Sequence, residues 1–167
     1  MPKPNLTAAR LREVLKYDPV TGLFVNLVTR SNSSKAGQVI GALDNSTGYL
    51  KLGLDGKTYN LHRLAWLHVH GEWPEGQIDH INGIRSDNRF CNLRDVSQRV
   101  NLHNRRTPKP GSRSGLLGVY FHSHSGLWHA TIVSIGKKHS LGYFKDKHEA
   151  HAAYLVAKRR LHEGCTI

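Results

Sequence analysis

The chain has 167 residues, of which 24 are Lys or Arg and 12 are Asp or Glu, so its formal net charge is +12. This length allows one domain with a fair core or two small domains. No apolar run approaches the roughly 18 residues that cross a bilayer, and the start "MPKPNLTAARLREV" lacks the apolar segment of a secretory signal. The composition argues against a membrane protein and predicts a soluble, intracellular protein whose positive field attracts polyanions.

The positive charge is concentrated towards the C-terminus. Residues 1–104 hold 13 basic and 9 acidic side chains, whereas residues 105–167 hold 11 and 3. The last third is therefore the stronger candidate for contact with nucleic acid. The two cysteines, Cys91 and Cys165, lie far apart and form no C-x-x-C pair. We expect reduced thiols, which argues against a disulfide framework and against a structural zinc site.

The N-terminal half alternates between helical and strand-like patterns. Thr7 is the predicted N-cap of a helix over "AARLREVLKY". Turn signals and strand-like runs follow, and Asp55-Gly56 between two such runs predicts a β-hairpin. A helical pattern runs from His62 to His70 and is closed by Gly71.

The C-terminal half begins with a change in composition. Residues 104–115, "NRRTPKPGSRSG", are rich in Pro, Gly, Ser and basic residues, and 105–113 is predicted to be a basic linker. Three short strand-like runs separated by turn signals follow, and a helical pattern starts near Lys147. We expect an α+β chain with domains over residues 1–104 and 114–167, the second a three-stranded antiparallel sheet with one helix.

The stretch from Ile78 to Asn104 carries the candidate chemistry. It places Asp79 beside His80 and holds five asparagines in 27 residues, although Asn is a poor helix and strand former. Phosphodiester hydrolysis requires a divalent cation and a base that activates water. A carboxylate and a carboxamide are hard oxygen ligands for Mg²⁺, and a neutral His80 can accept a proton. A turn at Asn82-Gly83 would bring the two adjacent side chains to one phosphate.

A segment that begins at Tyr59 resembles the HNH, or ββα-metal, nuclease core of phage homing endonucleases. The motifs are "LHR", "DH", "NL" and an Asn nine residues after the first Asn of that pair. The resemblance implies that Asp79 and Asn101 are metal ligands and that His80 is the general base. It also implies that the Asn92 side chain bonds to backbone and fixes the loop that aims His80. One divalent ion is implied, Mg²⁺ or alternatively Mn²⁺, and no structural zinc.

Some positions depart from that family or leave alternatives open. Many members have His where this chain has Asn101, and His103 is the alternative ligand. His62 either supports the site, contacts phosphate or simply packs in the core, and Arg63 is expected to contact phosphate. Three further asparagines are expected in turns or caps: Asn82, Asn88 and Asn104.

The stretch from Ser114 to Gly164 resembles the plant ethylene-response-factor type of DNA-binding domain. Gly118-Val119, Trp128 and "LGYF" at 141–144 carry the resemblance. In that family a three-stranded sheet lies in the major groove and a helix backs the sheet. Several strand positions that hold Arg in the family hold other residues here. The candidate DNA contacts, which include two arginines of the linker, are Arg105, Arg106, Tyr120, His122, His129, Thr131, Lys137, Lys138 and His139.

Strand alternation predicts which sheet residues face the helix. The face away from the helix is expected to expose Tyr120, His122, His129 and Thr131. Val119, Phe121 and Ala130 are expected to meet the helix, and Trp128 is assigned to the core. The basic run Lys158-Arg159-Arg160 is predicted to be a solvated helix face.

The sequence as a whole predicts a metal-dependent DNA endonuclease in the cytoplasm of a phage-infected or bacterial cell. A site-specific homing role follows from the resemblance, and one active centre would nick one strand unless the chain dimerises. We expect double-stranded DNA as partner, a monomer or a dimer, and neither a membrane nor a small-molecule cofactor. The alternative from another class is a DNA-binding regulator without cleavage activity; an RNA-binding role is disfavoured because aromatic residues make up only 8% of the chain.

Overall fold

The computed structural model describes residues 6–167. Residues 1–5, which belong to the N-terminal stretch considered for a secretory signal, lie outside the described residues. Within 6–167, no helix has the length and apolar character needed to span a bilayer. The chain divides into two compact units between Ser97 and Gln98. This division lies before the domain boundary predicted at residue 104.

In its described part, residues 6–97, the first unit is built from three small antiparallel sheets and two α-helices. The sheets have the strand orders β1-β2-β3, β4-β5-β6 and β7-β8. A short 3-10 helix, Phe90–Asn92, leads into β8. The elements in chain order are α1 (Ala8–Val14), β1 (Leu15–Tyr17), β2 (Phe24–Asn26), β3 (Val39–Ile40), β4 (Ala42–Asp44), β5 (Tyr49–Leu54), β6 (Lys57–Asn60), α2 (Leu61–His70), β7 (Gln77–His80) and β8 (Leu93–Val96).

Helix α1 begins at the predicted cap, where the Thr7 hydroxyl accepts a hydrogen bond from the backbone N–H of Arg10 at 3.2 Å. The prediction that this helix continues to Tyr17 is wrong, because Leu15–Tyr17 forms β1 and pairs with β2. Leu15 and Tyr17 are buried while Lys16 between them is exposed. Burial with a period of two therefore replaces the helical pattern after Val14.

The predicted hairpin and second helix are confirmed, and together they place His62 in the interior. Asp55 and Gly56 join β5 to β6 with φ angles of 47° and 74°, as a two-residue hairpin turn requires. Helix α2 ends at Gly71, which has a φ of 81° and donates its N–H to the carbonyl of Leu67 at 2.9 Å. The buried face of α2 carries His62 beside Leu61 and other apolar residues of the core.

The second unit contains helix α3 (Gln98–His103) and a sheet backed by a long helix. Its strands are β9 (Val119–His122), β10 (Leu127–Ser134) and β11 (Lys137–Phe144), and α4 covers Lys147–Leu161. Both strand pairs are antiparallel, with β10 in the centre. The chain as a whole is thus of the mixed α+β class that the sequence predicted.

The sheet and α4 pack through small residues. Ala130 on β10 and Ala150 on α4 have no exposed surface, and Trp128 packs against their cluster, so its assignment to the core is confirmed. Gly118 allows the close approach of Tyr154, because an added Cβ would lie 2.0 Å from the tyrosine ring. Its φ of 69° also favours glycine.

The basic run on α4 is only partly solvated, as Lys158 is 1% exposed. The prediction of a fully solvated run is wrong at this position. Ala150, Tyr154 and Lys158 recur every four residues and form the buried stripe of the helix. The Lys158 ammonium donates a hydrogen bond to the backbone carbonyl of Arg105, which satisfies its charged end while the aliphatic stem is buried.

Candidate active site

Asp79 lies on β7 directly opposite Arg94 on β8. The guanidinium binds one carboxylate oxygen, Oδ2, with Nε at 2.9 Å and Nη2 at 2.7 Å. The Asp79 side chain is 6% exposed, whereas that of Arg94 is 27% exposed. A buried carboxylate requires such a partner in the protein, because removal from water strongly disfavours an isolated charge. The pair of strands β7 and β8 therefore holds this carboxylate in a sheltered position against a cationic partner.

His80 is the next residue on β7 and is 4% exposed. Its Nε2 lies 3.2 Å from Oδ1 of Asn88, itself a buried side chain. Burial lowers the pKa of His80, while the hydrogen bond to Asn88 and the charge of Asp79 oppose that shift. The imidazole is consequently neutral at neutral pH, which is the state that can accept a proton.

A second histidine, His62 on α2, packs against His80. Their ring centroids are 5.1 Å apart in an edge-to-face arrangement, and the Tyr49 ring lies 4.8 Å from His62 and 5.8 Å from His80. Burial, followed by the neighbouring His80 and Arg63, lowers the pKa of His62 to about 3. With 5% of its surface exposed, His62 fits the alternative of packing beneath the site better than phosphate contact.

Asn92 bonds to the backbone on both sides of the loop that follows β7. Its Oδ1 accepts from the N–H of Asn82 at 2.9 Å, and its Nδ2 donates to the carbonyl of Asp87 at 2.8 Å. Asn82 itself closes the turn, since its Oδ1 accepts from the N–H of Ile84 and its Nδ2 donates to the Asp87 carboxylate. At Gly83 the φ is 76°, which this turn requires. Two of the five asparagines therefore shape the loop after His80.

Asn101 and its alternative His103 lie on α3 in the second unit. The His103 ring stacks on His162 with centroids 4.2 Å apart and planes 8° from parallel. Burial and His162 lower the pKa of His103. His103 is thus engaged within its own unit, and the metal-ligand role assigned to Asn101 stays a prediction.

The arginines predicted to contact DNA differ in their surroundings. Arg63 donates to the carbonyl of Gly76 at 3.3 Å and lies 5.9 Å from the ring of Trp73. The side chain is half-buried, which lowers the pKa of Arg63, and its bond to Gly76 contributes to the structure of this unit. Arg105 and Arg106 are exposed, although each also donates a hydrogen bond to a nearby backbone carbonyl.

The sheet face away from α4 carries an aromatic cluster, defined by Tyr120, His122, His129 and Tyr143. The prediction that His129 is exposed is wrong, since only 8% of it is accessible. Tyr143 stacks on it at 4.1 Å with planes 15° apart, and Ser140 Oγ lies 2.8 Å from its Nε2. Neighbouring strands thus supply the side chains that cover the middle of β10.

Thr131, also predicted to be exposed, is likewise 8% exposed. It lies on the central strand, at a register shift next to Ala130, and its N–H donates to the carbonyl of Gly118. Three residues near the second turn remain exposed as candidate contacts: Lys137, Lys138 and His139. The Lys138 ammonium lies 4.8 Å from the centre of the Tyr120 ring, so cation and aromatic ring form one surface.

Sequence reasoning missed three residues of the site: Tyr49, Asn88 and Arg94. Asn88 was expected in a turn, yet its side chain contacts His80. Tyr49 and Arg94 come from β5 and β8, and only the pairing of distant strands brings them to His62 and Asp79. No local pattern marks these residues, because their roles depend on register rather than on spacing.

The donor set can be tested against the metal that the resemblance implies. Across residues 6–167, no group of three or more His, Cys, Asp and Glu side chains is arranged to hold a metal ion. A thiolate or imidazole cage is therefore not formed by the described chain. The buried carboxylate of Asp79 is a hard oxygen donor of the kind that suits Mg²⁺, an ion that retains several water ligands.

Comparisons with known proteins place this arrangement in a family. The HNH endonuclease family matches residues 59–103, the stretch that contains α2, β7, β8 and α3. Protein 3.8 of Escherichia phage T7 is 32% identical over 102 residues, which are 60% of this chain and 83% of that protein. The chain belongs to the HNH endonuclease family, and the prediction of an HNH endonuclease is confirmed.

Further similarity links the chain to a homing enzyme. The DNA endonuclease I-HmuI of Bacillus phage SP01 is 35% identical over 77 residues, which are 43% of this chain and 44% of that enzyme. A solved structure also matches this chain, and it is described as DNA binding and cleavage by the HNH homing endonuclease I-HmuI. The two chains are 27% identical with a TM-score of 0.40, and the match covers 55% of this chain and 51% of the I-HmuI chain. The chain thus spans about half the length of I-HmuI. The likeness of residues 114–164 to the ethylene-response-factor domain stays a prediction.

Proposed function

We propose that the chain is a metal-dependent endonuclease that hydrolyses phosphodiester bonds of double-stranded DNA at a specific site. The observation that carries this proposal is the pairing of a neutral, buried imidazole, His80, with the buried carboxylate of Asp79 on one short strand. Both residues lie in the segment that matches the HNH endonuclease family. The relative I-HmuI is described as a homing endonuclease, and we propose a homing role for this chain as well. A monomer would have one active centre and nick one strand, whereas a double-strand break would require a dimer or a second event.

Each residue of the site has a proposed role. His80 accepts the proton of the attacking water, which requires the neutral imidazole that burial favours. Asp79 and Asn101 would hold one divalent ion, Mg²⁺ or Mn²⁺, which would stabilise the negative charge that develops on the phosphate and leaving oxygen. Asn92 fixes the loop after β7 through its two backbone bonds. Arg94 orients the Asp79 carboxylate through its two contacts with Oδ2.

The second unit is the proposed DNA-positioning module. Residues 105–167 hold 11 basic and 3 acidic side chains, so they attract the phosphate backbone independently of sequence. The exposed residues around the aromatic cluster, Tyr120 and Lys138 among them, are proposed to contact DNA from the sheet. Arg105 and Arg106 extend the same basic surface along the chain.

The decisive experiment maps new DNA ends in a diverse duplex pool incubated with wild type or His80→Ala, each with Mg²⁺, Mn²⁺ or chelator. We expect discrete ends that require both the metal and His80, and supercoiled plasmid carrying the site then shows a nick or a double-strand break. His148→Ala, which removes an exposed histidine at the start of α4, is the matched control and should cut as wild type does. DNA retention by all proteins without new ends would instead favour a regulator without cleavage activity.

A further inference from the structure

The polar side chain of Asn88 contacts the ring of His80. It is 2% exposed, and its Oδ1 lies 3.2 Å from Nε2 of His80. A carboxamide oxygen can only accept, so the imidazole donates its Nε2–H and carries its lone pair on Nδ1. The contact therefore selects one tautomer of His80 as well as one orientation of the ring.

The Asn88 side chain is placed at the expense of stability. Its Nδ2 is buried and has no hydrogen-bond partner among the described residues. A buried amide N–H without a partner lowers the stability of the folded state, because it has lost its hydrogen bonds with water. Residues that carry such a cost are typical of functional positions, where geometry matters more than stability.

The backbone of Asn88 is held by the N-terminal turn between β1 and β2. Tyr17 donates its hydroxyl to the carbonyl of Asn88 at 2.6 Å, a buried hydrogen bond. The N–H of Phe90 donates to the carbonyl of Pro19 at 2.9 Å. Gly22 packs directly on the peptide after Asn88, because an added Cβ would lie 2.6 Å from the Asn88 carbonyl carbon. Three contacts from a segment that precedes the family match thus fix the two successive peptides after Asn88.

The turn is itself well defined, which makes it a suitable support. The Asp18 carboxylate accepts from the N–H of Val20 at 2.9 Å, and the N–H of Gly22 donates to the Asp18 carbonyl at 2.8 Å. On the other side of Asn88, the Asp87 carboxylate is bound by Arg89 at 2.8 and 2.6 Å. The loop that carries Asn88 is therefore braced from both directions.

We propose that Asn88 is a positioning residue for His80, and that the turn Asp18–Gly22 with Tyr17 holds it in place. Asn88 sets the tautomer and direction of the imidazole, so that Nδ1 is the atom that takes the proton from water. This inference rests on the proposed role of His80 as general base. It gives the N-terminal segment a function in the active site besides any contact with DNA.

A double-mutant cycle tests whether Asn88 acts through His80. Asn88→Ala should lower kcat at saturating DNA and Mg²⁺ by about 10- to 100-fold, within the range of a general base, with KM and DNA retention unchanged. In the His80→Ala background the same substitution should cause no further loss. Asn45→Ala, at an exposed loop position, is the control and should change neither constant. An equal loss in both backgrounds would overturn the proposal, because Asn88 would then act independently of His80.

The tautomer can be read without any cleavage assay, which separates this inference from the proposed function. In ¹⁵N spectra of the histidine rings, the His80 resonances of wild type should report a proton on Nε2, and Asn88→Ala should show a mixture of tautomers. An Nδ1 proton in wild type, or an unchanged spectrum in the variant, would refute the proposal. A normal spectrum in a protein that never cuts DNA would refute only the nuclease role.

Tyr17→Phe tests the N-terminal support more gently. It removes the hydroxyl that binds the Asn88 carbonyl while keeping the ring, which lies 4.7 Å from Phe24. We expect kcat to fall about threefold to tenfold, the loss that one buried hydrogen bond of 0.5–1.5 kcal/mol supports, and the tautomer mixture to appear in part. Unchanged kcat and an unchanged His80 spectrum would show that the turn does not position Asn88.

Discussion

Acidification from pH 7 to pH 5 should destabilise the first unit through His62. In the folded state burial keeps this imidazole neutral, since its pKa is lowered from 6.5 to about 3. His62 takes up its proton near pH 6.5 in the unfolded chain, but only near pH 3 in the folded chain. The unfolded state therefore binds more protons across this window, and stability is lost as the pH falls below 6.5.

The magnitude follows from the two pKa values. Between pH 7 and pH 5, His62 hardly takes up a proton in the folded state, whereas it does in the unfolded state. This difference lowers the free energy of unfolding by about 2 kcal/mol. That is a substantial part of the 5–15 kcal/mol typical of a small domain. The environment explains the shift, because the ring is 5% exposed and its Nδ1 has no hydrogen-bond partner among residues 6–167.

The assay compares urea unfolding of wild type and His62→Gln at both pH values. Glutamine has a similar size and does not titrate, so contributions of the other histidines largely cancel in the difference. Fluorescence of Trp66 and Trp73 reports the first unit, and tryptophan-to-phenylalanine replacement of Trp128 removes the signal of the second. We expect wild type to lose about 2 kcal/mol more than the variant. Equal losses would mean that His62 titrates as if solvated, and the burial argument would fail.

Three other predictions concern the second unit. Gly118→Ala should lower the free energy of unfolding of the second unit by about 2–4 kcal/mol, because the new Cβ would meet the Tyr154 ring. The control is Gly126→Ala, at a φ of 69° with open space around it. It should cost only about 1–2 kcal/mol, and thermal unfolding measures both variants. Burial lowers the pKa of Lys158, so the unfolded state binds more protons at alkaline pH and the folded state becomes more stable as the pH rises. In urea unfolding, the stability of wild type relative to Lys158→Met should therefore increase between pH 7 and pH 10. Retention of non-specific duplex DNA should fall linearly on a log–log plot against salt, and a flat line would refute phosphate binding.

The elements of this chain were predictable where local chemistry defines them. Asp55-Gly56 adopts the positive φ angles of a two-residue hairpin turn, and Gly71 those of a helix end. The helix over residues 8–17 was overestimated because a helical stripe and a short alternation coincide near Leu15. Pairing with β2 decides between them, and no local pattern contains that information.

The site was predictable only in its central residues. Spacing pointed to Asp79, His80 and Asn92, because a known family repeats these residue types at these distances. It could not separate Asn88 from the asparagines of the turn, since the contact with His80 appears only when the loop is closed. The charge of Lys158 likewise predicted a solvent-exposed side chain. Its position in the i, i+4 stripe of α4 instead buries this side chain.

Helix α3 carries the end of the family match but belongs to the second unit of the chain. The match extends to residue 103 and includes Asn101, but α3 packs within the second unit. An added Cβ on Gly164 would lie 2.2 Å from the carbonyl oxygen of Val100, and Arg106 binds the Thr166 hydroxyl at 2.8 Å. The helix that carries the proposed ligand thus depends for its place on residues far beyond the matched segment. A chain cut at residue 104 would keep every signature residue and lose the contact between Gly164 and helix α3.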